Sequence, residues 1–272
     1  MLGASRTSLA QARTRLSQLG LDADGWGTLS EELLGVTSLL AHELPLRRAL
    51  ADAAVAAPAK TALLENLLRD KVSAATIGFL VEVVGSRWSR QTDLVEGLET
   101  LGVLASFEQA QADGTLDQVE DDLFRFSRIV EDQAALRNAL ADRNQSDDTK
   151  RQLLTALLTD KVSPVTLRVI IGAASGTHRR TVTEALQEFS RLAADLRERL
   201  NARVTVAVAP TEAQLERLSE ELKQLYGKQI GLRVELDPEI LGGLVIRVGD
   251  EVLDASIARR LDVARRSLSE HV

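Results

Sequence analysis

Apolar residues recur every three or four positions through the first 200 residues, and then the period drops to two. Asp93 to Ala112, DLVEGLETLGVLASFEQAQA, carries Leu94, Leu98, Leu101 and Ala105 on one stripe that Glu108 prolongs, with no proline to interrupt it. That spacing predicts one helix, or two nearly continuous ones. Arg180 to about Leu200 has Val182, Leu186, Phe189, Ala193, Leu196 and Leu200 at the same spacing, a helix of roughly 30 Å at 1.5 Å per residue. After Asn201 alternation takes over. RVTVAVA, Arg203 to Ala209, predicts a strand that Pro210 stops, and Thr211 with Gln214 opens the helix TEAQLERLSEELKQLYG, which Gly227 closes. LRVELD, LVIRV and EVLD predict three more strands, the last two joined by a Gly249-Asp250 turn. A final helix runs from about Ser256 to Leu268.

The helical part repeats itself. Leu46 to Arg90 lies over Leu136 to Arg180 without a gap, 90 positions on, sharing LR.ALAD, a lysine (Lys60 and Lys150), LL..LL and DKVS. Upstream, SEELLGVTSLL faces EDDLFRFSRIV. These are two copies of one helical unit. The punctuation is helical: Ser163-Pro164 reads as an N-cap followed by proline in the first turn, and Pro58 and the Asp147-Asp148 pair stand at corresponding helix starts. Asp117 with Glu120 has the spacing of a capping box. The expected architecture is mainly α with a small α+β C-terminal domain, divided as a first helical repeat (residues 1–95), a second (96–200) and a strand-helix-strands-helix module (201–272).

Composition narrows the function. A net charge of -7 and an aromatic content of 3% argue against a grip on nucleic acid, which needs clustered cations and stacking platforms. The same charge disfavours anionic lipid, so the expected partners are proteins. The chain has no cysteine, hence no disulfide, thiolate zinc site or cysteine nucleophile. MLGASRTSLAQARTRL lacks a basic region followed by an apolar core, and no apolar run reaches the roughly 18 residues of a membrane span.

Each candidate for chemistry has a folding role instead. His42, His178 and His271 are too far apart in sequence to pair on a metal. Lys228 follows Gly227, but Gln229 replaces the hydroxyl residue of a phosphate loop. GAASG, Gly172 to Gly176, has alanine where a nucleophile elbow needs serine, and reads as helix packing or a helix end. Gly242-Gly243 reads as a bulge or a close backbone approach, Asp237-Pro238 as a turn opener, and Asp254 as a carboxylate at the start of the last helix. Arg259, Arg260, Arg265 and Arg266 read either as a docking face for an acidic helix or as a solvated face. No catalytic, cofactor or metal site is expected.

LDPEILGGLVIRVGDEVLDASIARRL, Leu236 to Leu261, resembles the C-terminal signature of the delta subunit of F-type ATP synthases, the family that includes the mitochondrial oligomycin-sensitivity-conferring protein. The matching positions are Asp237, Pro238, Leu241, Gly242, Gly243, Gly249, Asp250, Asp254, Arg260 and Leu261. VLASFEQAQADGTLDQVEDDLFRF, from Val103, is similar to the start of the family's helical domain, so the resemblance runs from about Leu101 to the C-terminus. The extra copy, Met1 to about Arg90, resembles the longer delta subunits of actinobacteria. The resemblance implies a peripheral-stalk (stator) subunit without an active site or cofactor, in a complex that couples ATP synthesis to hydrogen ion transport. Its partners would be the N-terminal segments of the alpha subunits and the C-terminal region of the b subunit. Its place would be peripheral, on the cytoplasmic face of the cell membrane, held there only through the complex.

Within that frame the second repeat is expected to grip the head, because it adjoins the C-terminal module. The stripe of Leu104, Phe107, Val165, Val169 and Ile170 reads either as that contact face or as core. Arg259, Arg265 and Arg266 are candidates for the stalk contact. The rival reading is a helical-repeat scaffold unrelated to ATP synthase, which accounts for the duplication and leaves the ordered C-terminal pattern unexplained.

Overall fold

The computed structural model describes residues 1, 3–142, 144–175, 180–199, 201–226, 230–237, 242–248 and 251–254. The chain divides into two compact units, Met1–Ala193 and Ala194–Val272. The first contains α1 (Ala4–Ser17), α2 (Ala23–His42), α3 (Leu44–Ala51), α4 (Ala57–Leu68), α5 (Ala74–Gly85), α6 (Gln91–Ala112), α7 (Leu116–Asp132), α8 (Ala134–Ala141), α9 (Asp147–Leu158) and α10 (Pro164–Ala174). Helix α11 (Val182–Arg199) follows and runs past the division.

The 90-residue repeat of the sequence is a repeat of elements. It lays α3, α4 and α5 over α8, α9 and α10, and α1 and α6 over α6 and α11. Helix α6 therefore serves both copies at once, and the expected boundary at residue 95/96 falls inside it. A helix in that position has no face left for water: Gly97 to Val103 is buried without a break, nearly two full turns. The single stripe expected for Asp93–Ala112 is thus replaced by burial all round, as for any helix at the centre of a bundle.

Turn and cap chemistry repeats as well. Ser73, Ser146 and Ser163 cap α5, α9 and α10, each accepting from the backbone N–H three residues on. Asp70 and Asp160, at the same place in the two copies, follow α4 and α9 in the left-handed region with φ 63 and 64°, where aspartate is better tolerated than most residues. A carboxylate, half-buried in the first copy and buried in the second, backs the cap. Glu32 accepts from Ser73 N–H (2.7 Å), Ser73 Oγ (2.8 Å) and Thr76 Oγ1, and its counterpart Asp122 accepts from Thr166 Oγ1 at 3.4 Å. The capping box expected at Asp117 and Glu120 does not form. Thr115 is the N-cap of α7, without a side-chain bond, and Asp117 lies inside the first turn, where its charge still complements the helix dipole.

The second unit holds β1 (Asn201–Val206), α12 (Glu212–Tyr226), β2 (Gly231–Leu236), β3 (Leu244–Val248) and β4 (Glu251–Asp254). The sheet order is β2-β1-β3-β4, with β1 and β2 parallel and the remaining pairs antiparallel. β1 begins two residues earlier and ends three earlier than the alternation suggested, at the limits of its pairing with β2. The Thr211/Gln214 capping box is present, with Thr211 N–H on Gln214 Oε1 at 2.9 Å. Ala202, Val204, Val206, Ile246 and Val248 on one sheet face pack with Leu222 of α12. Tyr226 reaches from the end of α12 to donate to Glu251 Oε2 at 2.8 Å, and burial, then that carboxylate, pushes its phenol up to about 12.

Candidate docking surfaces

Among the described residues no group of three His, Asp or Glu side chains converges on a metal position, and no described helix is long and apolar enough to cross a membrane. The polar groups that are buried serve packing. Asp93 accepts from Ser5 Oγ (2.8 Å) and pairs with Arg90 (3.0 Å), and Ser30 and Ser106 meet at 2.5 Å between α2 and α6. Glu99 of α6 is almost wholly buried against Arg180 at 2.5 Å, and Arg180 also pairs with Glu188 of α11 and lies 5.1 Å from the Phe189 ring centre. Burial, opposed by Arg180, pushes the Glu99 carboxyl up to about 7.

The expected head-contact stripe is interior. Phe107, Val165, Val169 and Ile170 are buried and Leu104 is half-buried. Helix α10 packs on α6, α7 and α9, and α2 of the other copy packs along α6 and reaches α10. A Cβ on Gly102 of α6 would stand 2.9 Å from Leu34 Cγ and Cδ2, and one on Gly172 of α10 would stand 3.5 Å from Leu34 Cδ2. Leu34 is thus a knob seated where two glycines leave room. Arg168 of α10 locks the seat, donating to Glu31 of α2 (2.9 Å) and Gln109 of α6 (2.8 Å). Nothing in the local sequence of α6 or α10 announces an internal cover; only the repeat offset, followed through α6, points to it.

The C-terminal signature is described in part. Gly242 and Gly243 stand before β3 with φ 131 and 83°, a conformation that excludes side-chain residues. Asp237 donates its N–H to Val206 O at 2.9 Å, carrying the β1–β2 pairing one step further. Asp254 closes β4 opposite Val245; its side chain lies outside the described residues, as do Pro238, Leu241, Gly249, Asp250, Arg260 and Leu261 and the stalk candidates Arg259, Arg265 and Arg266. Pairing of Val248 with Glu251 leaves two residues for the β3–β4 connection, the length expected for it.

One surface escaped the sequence reading. On the sheet face away from α12, Arg233, Arg203 and Arg247 stand side by side on β2, β1 and β3. All three are exposed. Glu235 lies 3.4 Å from Arg203 and 3.8 Å from Arg233. Like charges directly opposite one another cost stability, so this row asks for an anionic partner. The signal was present in RVTV, LRVE and VIRV, but only the strand register brings the three together.

Residues 103–268 match the sequence model of the ATP synthase delta (OSCP) subunit. The chain belongs to that family. The ATP synthase delta subunit of Streptomyces coelicolor is 42% identical over 273 residues, covering 99% of this chain and 98% of that one. Those of Thermobifida fusca and Acidothermus cellulolyticus are 43% identical over 269 residues and 41% over 273, each covering 99% of this chain and 100% of its own length. The first repeat, ahead of the family match, is therefore shared with these delta subunits. A chain in the cryo-EM structure of the Toxoplasma gondii mitochondrial ATP synthase hexamer is 21% identical, covering 63% of this chain and 97% of that one, with a TM-score of 0.32. As a delta (OSCP) family member, the chain is a non-catalytic stator component of the F-type ATP synthase, the complex that couples ATP synthesis to proton transport.

Proposed function

We propose that the chain is a two-ended link, the helical repeats holding N-terminal segments of the alpha subunits and the C-terminal domain holding the C-terminal region of b. On this reading it works at the cytoplasmic face of the cell membrane, bound there only through the complex, and keeps the head from turning with the rotor. The domains are the two repeats, residues 1–95 and 96–200 with α6 common to both, and residues 201–272. The observation that carries the reading is the division into an all-helical unit and a unit that holds the sheet. The burial of Phe107, Val165, Val169 and Ile170, with Leu104 half-buried, favours a head contact elsewhere on the helical unit. The arginine row favours an acidic stretch of b: strands stand about 4.8 Å apart, close to the 5–6 Å between residues one turn apart on a helix. Three carboxylates on successive turns of a helix laid across the strands would meet the three arginines. Two separate grips give the linkage durability through effective concentration.

The test is a pull-down of detergent-solubilised ATP synthase subunits on the immobilised full-length chain. Recovery of both alpha and b is expected, with Arg203→Glu, Arg233→Glu and Arg247→Glu together losing b and keeping alpha. Recovery of neither subunit by the unaltered chain would refute the two-ended link.

A further inference from the structure

The α10 side of the Leu34 seat has no counterpart in the second copy. Leu34 of α2 and Phe124 of α7 occupy the same position of the repeat, as do Glu31 and Asp121, and Leu39 and Ile129. In the first copy Leu34 and Leu39 are half-buried. In the second copy Phe124 is 60% exposed and Ile129 48%. The other four phenylalanines of the chain are at most 3% exposed, so Phe124 is the single aromatic knob left in water. Leu34 is held between α6, at Gly102, and α10, at Gly172; in the second copy Leu192 of α11 stands in the place of Gly102, and no following copy supplies a helix in the place of α10.

We propose that the α7 face centred on Phe124 is a docking surface for a helix of the catalytic head, seated as α10 is seated on α2. The head as source rests on the two-ended link proposed above; the chemistry of the occupant comes from the internal template. On the α10 side of the seat Gly172 leaves room for Leu34, and Arg168, one turn earlier on α10, reaches Glu31. The occupant therefore carries a glycine or alanine over Phe124 and a lysine or arginine four residues before it, facing Asp121. Arg128, one turn beyond Phe124 and exposed, favours an acid one turn after the small residue. A second copy of this chain does not fit. Its helix corresponding to α10 is α5, which has Gly78 and Glu82 in place of Arg168 and Gly172, and so lacks the cation and sets an acid against the ring. Docking of an amphipathic helix through an apolar knob with flanking charges is a recurrent mode of recognition, and a central aromatic anchor commonly dominates its affinity.

The test uses the full-length chain with purified alpha/beta heads and, in parallel, with the soluble part of b. Phe124→Ser is expected to weaken head binding on the order of 10- to 100-fold. Asp121→Lys is expected to weaken it about tenfold and to alter its salt dependence. Both leave b binding and the unfolding temperature unchanged, because both positions are exposed. Phe124→Leu, which installs the first repeat's residue, keeps head binding within about threefold of the unaltered chain. Unchanged head binding in Phe124→Ser and Asp121→Lys would overturn this face and leave the two-ended link standing. Loss of b binding instead would overturn the occupant. Failure of the unaltered chain to bind heads would overturn both.

Discussion

Gly97→Ala is a substitution that helix propensity recommends and packing forbids. Gly97 lies in the interior of α6, where alanine would gain about 1 kcal/mol of helix propensity. Its new methyl would stand 2.5 Å from Cη2 and 2.8 Å from Cζ3 of Trp88, well inside van der Waals contact. The indole cannot bend away, being rigid, 4% exposed, and held at its other end by Nε1–H donating to Val83 O at 2.9 Å. Overpacking of this kind costs about 1–3 kcal/mol, and if the ring swings clear the bond to Val83 is lost for about 1 kcal/mol more. The net expectation is a loss of about 1–2 kcal/mol, or about 2–8 °C in unfolding temperature for a unit of this size. Gly35→Ala is the matched control: it is exposed in α2 with no atom within 4 Å of the added methyl, and should gain about 0.5–1 kcal/mol. Thermal unfolding followed by tryptophan fluorescence isolates the helical unit, because both tryptophans, Trp26 and Trp88, lie in it. A Gly97→Ala chain as stable as the unaltered one, with unshifted emission, would refute the packing argument.

Three further outcomes are expected. The Glu99 carboxyl, at about 7 in the folded chain against 4.5 ordinarily, binds its proton at higher pH when folded, so its contribution falls as pH rises from about 4.5 to about 7 and is gone above that. The swing is at most about 3 kcal/mol, and Glu99→Gln should flatten the stability profile across that window in urea titrations at pH 5, 6, 7 and 8; a profile parallel to the unaltered chain's would contradict the assignment. Glu32→Ala removes the acceptor of three donors at the start of α5 and should cost about 2 kcal/mol, measured by urea midpoint, while Asp122→Ala, with one long bond to Thr166, costs less. Leu34→Ala should lose about 1–3 kcal/mol from the α2 seat, whereas Phe124→Ala at the same repeat position stays within about 0.5 kcal/mol in the isolated chain; equal losses would mean that the two faces are not packed differently.

What the sequence determined by itself was local or ordered along the chain. The duplication was read from order along the chain; the Pro58 start of α4, the Asp147-Asp148 start of α9, the Ser163-Pro164 start of α10, the Thr211/Gln214 cap and the bounds of β3 and β4 are short-range patterns, read from spacing because backbone hydrogen bonding and dihedral preference act over a few residues. The C-terminal pattern from Asp237 to Leu261 carried the family for the same reason. The tertiary structure decided what each pattern faces. Apolar spacing marks a residue for burial and says nothing of what buries it, so the stripe of Leu104, Phe107, Val165, Val169 and Ile170 was compatible with a partner's helix and with the chain's own core. In the structure Phe107, Val165, Val169 and Ile170 are buried and Leu104 half-buried, and sharing α6 between the copies brings Leu34 onto Gly102 and Gly172. The arginine row needed the register of three strands, and the exposure of Phe124 needed the chain to end its repeat without a third copy. Contacts between residues far apart in sequence depend on how whole elements pack, which no local period encodes.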